Sequence, residues 1–183
     1  MKIVIVINGA GGVGKDTLIS FAAEKYGVMN VSSIYPIKEA ARQVGWNGKK
    51  DQRSRRFLSD LKKLSVEYND YPATYLKKKY EEFMAGRAEI MFVAIREGSE
   101  IRRFIEEICP KAVTLLVRRP GIGSYGNSSD DDVENFGYDF VYNNEFPLTY
   151  ARQDFMRFLK DLIITAALKG ADGEQFPQAK GRG

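Results

Sequence analysis

The sequence predicts an α/β protein: one five-stranded parallel sheet with helices on both faces. Three observations carry that prediction. Five short apolar runs rich in β-branched residues are spread along the 183 residues with helical segments between them, and strands that alternate with helices pair in parallel. The first run, "KIVIVIN", is apolar without alternation, as a strand covered on both faces requires. Directly after it stands "GAGGVGKDT", a glycine-dense turn that opens a helix.

Each element has its own local reason. Lys15 to Tyr26 reads as a helix, with Leu18, Phe21 and Ala22 at helical spacing and Gly27 as its stop. "MNVSSI" is a short second strand. Pro36 then opens a charged, mostly helical region reaching about Gly86, made of "IKEAARQVGW", "RSRRFLSDLKKLSVEY" and "ATYLKKKYEEFM". "EIMFVAI" is the third strand. Ser99 is placed to cap "EIRRFIEEI", where Ile101, Phe104, Ile105 and Ile108 form one apolar stripe. "AVTLLV" is the fourth strand, the irregular "RRPGIGSYGNSSDDD" follows, and "YDFVYNN" is the fifth. Phe155, Phe158, Leu159 and Leu162 mark a closing helix, and "GADGEQFPQAKGRG" has the composition of a disordered tail.

Composition narrows the function. Hydrophobic residues at 44% and charged residues at 28% describe a globular chain. No apolar run approaches the roughly 20 residues a bilayer demands, so no membrane partner is expected. "MKIVIVING" is a strand and a glycine loop rather than a signal peptide, and the single Cys109 cannot close an internal disulfide, so the expected setting is cytoplasmic. The absence of histidine removes histidine triads and histidine metal ligands. A net charge of +4 fits an anionic substrate and equally a slightly basic surface. The basic residues fall in short clusters without a dedicated tail, so nucleic acid is not the expected partner. Monomer and homodimer are both open.

Gly9, four residues, Gly14 and Lys15 satisfy the spacing of a phosphate-binding loop, which makes the fold a P-loop NTPase. Such a loop wraps a polyphosphate too closely for side chains, so glycines let backbone amides converge on the anion while the helix dipole adds to the attraction. The expected nucleotide site is therefore Gly9, Ala10, Gly11, Gly12, Val13, Gly14, Lys15, Asp16 and Thr17, with Lys15 on the β- and γ-phosphates. A serine or threonine ordinarily follows that lysine and ligates magnesium. Here Asp16 stands there and Thr17 comes next, so these two are the candidate metal side chains. Asp16 has a second reading, as an acid that simply favours the helix start.

Beyond the loop, "YPIKEAARQVGW", "RRFLSDLKKL", "VAIREGSEIRRF", "LLVRRPG" and "YDFVYNN" follow in an order that resembles the P-loop nucleoside monophosphate kinase superfamily. The resemblance is to phage-type deoxynucleoside monophosphate kinases and their relative phosphomevalonate kinase, over most of residues 1–165. It implies an adenylate-kinase-like fold, ATP and Mg²⁺ on the loop, an acceptor-binding helical insert and a mobile lid. The domain organisation expected is one kinase domain over 1–169, with the insert at 35–87 and the lid-like segment at 118–136, before a disordered 170–183.

The family's residues carry over one by one. After the third strand the family has an aspartate, one residue, an arginine, and a glutamate four further on; this chain reads Ala94, Ile95, Arg96 and Glu100. Arg96, at the carboxyl end of a strand beside the loop, is placed to grip an acceptor phosphate. Ala94 departs from the pattern, because an aspartate there would hold the magnesium shell. Metal positioning then falls on Asp16, Thr17, water and the nucleotide. Lys38 and Arg55 match substrate-contacting positions of the insert, or are ordinary solvated charges. Arg118 and Arg119 resemble lid arginines that close over the moving phosphoryl group, one of the pair doing so. "SSDDD" at Ser128 to Asp132 reads as a solvated loop rather than a metal cluster. Tyr35 and Trp46 are candidates for base stacking or for packing, and Cys109 for inert packing.

The activity expected is ATP-dependent phosphoryl transfer to a small phosphorylated acceptor, a (deoxy)nucleoside monophosphate first. Two alternatives stand beside it: a kinase of phosphomevalonate or another small metabolite, and a nucleotide-binding module without catalysis.

Overall fold

Six consecutive buried residues, Ile3–Asn8, form β1 at the middle of the sheet. The remaining elements follow in chain order: α1 Lys15–Ala23, β2 Val28–Ser32, α2 Tyr35–Gln43, α3 Gln52–Asn69, α4 Tyr71–Ala85, β3 Ile90–Ala94, α5 Gly98–Glu107, β4 Val113–Arg118, β5 Phe140–Asn143 and α6 Leu148–Asp172. The structure is a computed structural model that describes residues 2–122 and 133–172, the last four by main chain alone. The strand order is β2-β3-β1-β4-β5. β1 pairs in parallel with β3 (Ile5 opposite Phe92) and with β4 (Ile5 opposite Val113), and β4 pairs in parallel with β5. This is the α/β fold that the alternating pattern predicts.

The chain forms two compact units, one of Met1–Asn30 with Arg87 onward, the other of Val31–Gly86. In the first unit, alternate residues of β1 enter opposite faces of the sheet. Ile3, Ile5 and Ile7 join Phe92, Leu115 and Val117 in a core closed by Leu18 and Ala22 of α1 and by Phe155, Leu159 and Leu162 of α6. Val4, Val6, Met91, Val93 and Leu116 are as deeply buried on the other side of the strands. Both faces of the sheet are therefore covered, which explains the unbroken apolar reading of β1.

β5 is held by polar and aromatic contacts. The Asp139 carboxylate accepts from both the main-chain N–H and the hydroxyl of Thr114, at 2.8 Å each, and fixes the strand against β4. Tyr142 packs on Phe155 and Phe158, with ring centroids 5.2 and 5.0 Å apart, and donates its hydroxyl to Asp154. Burial first, and then that bond to a carboxylate, hold the phenol well above its usual titration range.

The second unit is three mutually packed helices, α2, α3 and α4. Asp51 caps α3 by accepting from the Ser54 N–H at 2.7 Å. Asp70 ends α3 in a left-handed conformation at φ 50°, and Pro72 then opens α4, a position where its missing N–H costs nothing. α3 contains no buried residue.

Some boundaries differ from the sequence reading. α1 ends at Ala23 rather than Tyr26, because Lys25 and Tyr26 both bond back to the Ala22 carbonyl in a tight final turn. β2 starts one residue early and stops at Ser32, short of Ile34. Ser99 does not cap α5; Glu97 occupies that position and Ser99 sits inside the first turn. The closing helix continues through Asp172, so residues 170–172 belong to it and not to a disordered tail. Residues 173–183 lie outside the described residues, as do 123–132 of the 118–136 segment, the "SSDDD" run among them.

Phe155 is fully enclosed, at 0% exposure, where α6 meets the sheet. Phe155→Ala should lower unfolding free energy by about 3–5 kcal/mol in urea titrations, through lost burial and the cavity left behind. A loss under about 1 kcal/mol would place that ring outside the cooperative core.

Candidate functional site

In a parallel sheet the strand ends that carry chemistry all face one way. The carboxyl ends of β1, β3, β4 and β5 deliver four groups to one edge: the 9–14 loop, Arg96, the Arg118–Arg119 pair, and Asn144. All of them belong to the first unit.

The loop's shape depends on its glycines. Gly9, Gly12 and Gly14 have φ of 140°, 87° and 97°, values that side chains rarely allow. At Gly9 a Cβ would also lie 2.3 Å from the Val117 carbonyl oxygen, so the loop leaves β1 directly against β4. At Gly14 it would lie 2.6 Å from the Asn144 side-chain nitrogen. Gly14 is the N-cap residue of α1, and no side chain caps that helix. The first-turn amides of an α-helix have no partner within the helix, so they are available to an anion.

Two buried asparagines hold this conformation from below. Asn144, just past β5, donates its Nδ2 to the Val13 carbonyl at 2.9 Å. Asn8, the last residue of β1, accepts from the Gly9 N–H at 2.8 Å and donates to the Arg96 carbonyl at 2.9 Å and the Tyr138 hydroxyl at 2.8 Å. Neither residue stands out in the sequence, because their partners lie up to 131 residues away. Lys15 folds back over the loop, with its ammonium donating to the carbonyls of Gly9 at 2.6 Å and Ala10 at 3.0 Å.

Beside the loop is a cleft of about 280 Å³. Ala10, Val13, Val117 and Ile122 form its apolar part, while Arg118, Arg119, Glu134 and Glu145 give it charge. The two arginines differ. Arg118 is bound twice by Glu134, with Nη2 to Oε2 at 2.6 Å and Nε to Oε2 at 3.1 Å. The Arg119 side chain makes no such bond among the described residues, and the residue lines the cleft.

The other candidates are placed as follows. Arg96 is exposed two residues beyond β3. Ala94 lies opposite Ile7 in the ladder and puts no carboxylate at that strand end. Asp16 and Thr17 are exposed in the first turn of α1, with no side-chain hydrogen bond among the described residues. Lys38 and Arg55 belong to the second unit, on α2 and α3. Tyr35 is 40% exposed with the Lys38 ammonium 6.0 Å from its ring centre. Trp46 has Arg42 over its ring and donates to the Lys49 carbonyl. Cys109 is buried.

The residues fit a nucleotide that carries its own metal. A Cβ at Gly9 or Gly14 would collide with Val117 or Asn144, and the helix start is uncapped. No cluster of three or more acidic or sulfur ligands able to cage a cation exists among the described residues. Magnesium needs no such cage when phosphates and water supply most of its ligands.

The chain matches no protein-family model and no curated protein. Among solved structures it resembles a sugar kinase from Janibacter sp. HTCC2649 in unliganded form, at 16% identity and a TM-score of 0.51, over 91% of this chain and 98% of that one. A putative kinase from Chloroflexus aurantiacus aligns at 12% identity and a TM-score of 0.49, covering 87% and 97% of the two chains. A shikimate kinase from Bacteroides thetaiotaomicron aligns at 14% and 0.46, covering 88% and 98%. Together with the strand order and the loop, the Janibacter likeness places this chain in the P-loop kinase fold. No helix among the described residues is long and apolar enough to cross a membrane.

Gly9→Ala should destabilise the protein by about 2–3 kcal/mol or more, since it adds a clash with Val117 to backbone strain. Gly121 also has positive φ but has nothing within 4 Å of its missing Cβ, so Gly121→Ala should cost only about 1 kcal/mol. Equal losses in urea unfolding would remove the close approach of loop and β4 as the cause.

Proposed function

We propose that this protein is an ATP-dependent phosphotransferase acting on a small phosphorylated acceptor, a (deoxy)nucleoside monophosphate first. The observation that carries the reading is the loop: three glycines at positive φ, an uncapped helix start and the Lys15 ammonium converge between Gly9 and Lys15. The fold shared with a sugar kinase agrees with it.

In this reading the loop amides and Lys15 hold the β- and γ-phosphates of ATP. The adjoining cleft takes the rest of the nucleotide, with Ala10, Val13 and Ile122 offering apolar surface to a base. Mg²⁺ would neutralise charge on the triphosphate, and Asp16 and Thr17 are the side chains that would hold it. Arg96 grips the acceptor phosphate. Arg119 offsets charge on the transferring group, while Arg118, already committed to Glu134, braces the chain after β4. A phosphate acceptor needs no strong general base, which suits a chain with no histidine. Lys38 and Arg55 would contact the acceptor. Their unit, Val31–Gly86, holds twelve lysines and arginines against seven acids, a balance that favours an anionic partner. We propose kinship with phage-type deoxynucleoside monophosphate kinases.

Acceptor-dependent ADP release from MgATP, across the nucleoside monophosphates, phosphomevalonate and other small phosphorylated metabolites, tests this reading and names the acceptor. Lys15→Ala should reduce kcat/KM by about 10²-fold or more. Arg96→Ala should raise the acceptor KM by about 10- to 100-fold with ATP affinity nearly unchanged. Arg119→Ala should lower kcat by about 10²-fold, with Arg118→Ala the milder of the two. The reverse order would hand the phosphoryl contact to Arg118.

Ala94 favours a second reading, a nucleotide-binding module without catalysis, because the strand end lacks the magnesium-holding carboxylate of related enzymes. Tight ATP binding with no turnover of any acceptor would select it.

A further inference from the structure

Asn8 joins the two halves of the proposed reaction through one carboxamide. It is the last residue of β1, only 1% exposed, and all its usual bonding capacity is engaged. Its oxygen accepts from the main-chain N–H of Gly9, the first residue of the donor loop, at 2.8 Å. Its nitrogen has two hydrogens; one goes to the carbonyl of Arg96 at 2.9 Å, the other to the Tyr138 hydroxyl at 2.8 Å. The orientation of the amide is dictated by chemistry. An N–H can only donate and a carbonyl can only accept, so the oxygen faces Gly9 and the nitrogen faces Arg96. Rotation by 180° would set both against like groups inside the protein, at the cost of two unsatisfied buried partners.

We propose that Asn8 is a positioning residue that couples the acceptor arginine to the phosphate-binding loop. The proposal rests on the assignment of Arg96 to the acceptor and of the loop to ATP. A guanidinium drawn toward an acceptor phosphate pulls on its own main chain, and the Arg96 carbonyl is tied rigidly to the group that orients the Gly9 N–H. Parallel pairing between β1 and β3, with Ile7 opposite Ala94, leaves little slack between the two ends. Occupation of the acceptor site is therefore felt at the first amide of the donor loop, and by reciprocity donor binding is felt at Arg96.

The test is a double-mutant cycle on acceptor KM. ADP release from MgATP is measured with an equimolar mixture of the four deoxynucleoside 5′-monophosphates, in wild type, Asn8→Ala, Arg96→Ala and the double variant. Asn8→Ala alone should raise acceptor KM about tenfold, and it should add less than about twofold on top of Arg96→Ala, because the two changes act through one link. A purely structural asparagine predicts effects that multiply, and that result would overturn the proposal. Since Asn8→Ala leaves buried groups unpaired, a second measurement uses chains with Asn8 in place. In ¹⁵N-labelled wild type without ATP, the same monophosphates should shift the Gly9 amide and both Asn8 carboxamide protons, and Arg96→Ala should abolish the shifts. Unmoved resonances, or shifts that persist in Arg96→Ala, would overturn it too. Wild type that turns over none of the monophosphates defeats the nucleoside monophosphate assignment on which the coupling rests, and the coupling with it. Turnover with multiplicative effects defeats the coupling alone.

Discussion

Main-chain nitrogens can converge on an anion only if the carbonyls between them are held turned away. That constraint organises the edge of the sheet where β1 passes into α1. Glycine supplies the torsions, but torsional freedom also permits many other shapes, and the choice among them is made by side chains buried beneath. Asn144 draws the Val13 carbonyl down, and Asn8 fixes the Gly9 N–H at the other end. Each is nearly sealed from water, so each bond is made in a medium where its loss leaves a polar group stranded. Gly14 must be glycine for torsion and also to make room for the Asn144 amide. Loop and brace define each other.

The same arrangement explains what could be read from the sequence. β1, β3 and β4 are legible because burial on both faces leaves long apolar runs, and the loop is legible because its signal is local and contiguous. Asn8 and Asn144 are not legible, since an asparagine beside a glycine looks like turn chemistry until its partner is known. The Ser99 reading failed for a related reason: a good capping residue lies two positions beyond Glu97, whose extended backbone begins α5 first. Arg118 and Arg119 are equivalent on paper. Only Glu134, sixteen residues further along, separates their roles.

Charge is distributed unevenly between the two units. The chain carries +4 overall, yet Val31–Gly86 alone holds an excess of five positive charges, so the sheet-bearing unit is slightly acidic. A mildly basic whole is thus a strongly basic part joined to a near-neutral one. In the basic unit, α3 buries none of its eighteen residues, and its helical stability must come from Asp51 at its start and its neighbours α2 and α4 rather than from a sealed core.

Lys15 already has work to do before any phosphate arrives. Its ammonium donates to the Gly9 and Ala10 carbonyls, so an ion arriving at the loop competes with those oxygens for it. A polyphosphate, with several full charges, offers the ammonium far more than those dipoles do, whereas a singly charged visitor offers little beyond what must be surrendered. In the proposed reading the lysine is then a threshold as well as a ligand. In that reading, selectivity for highly charged guests over chloride or a lone carboxylate follows from how the side chain folds over its own loop.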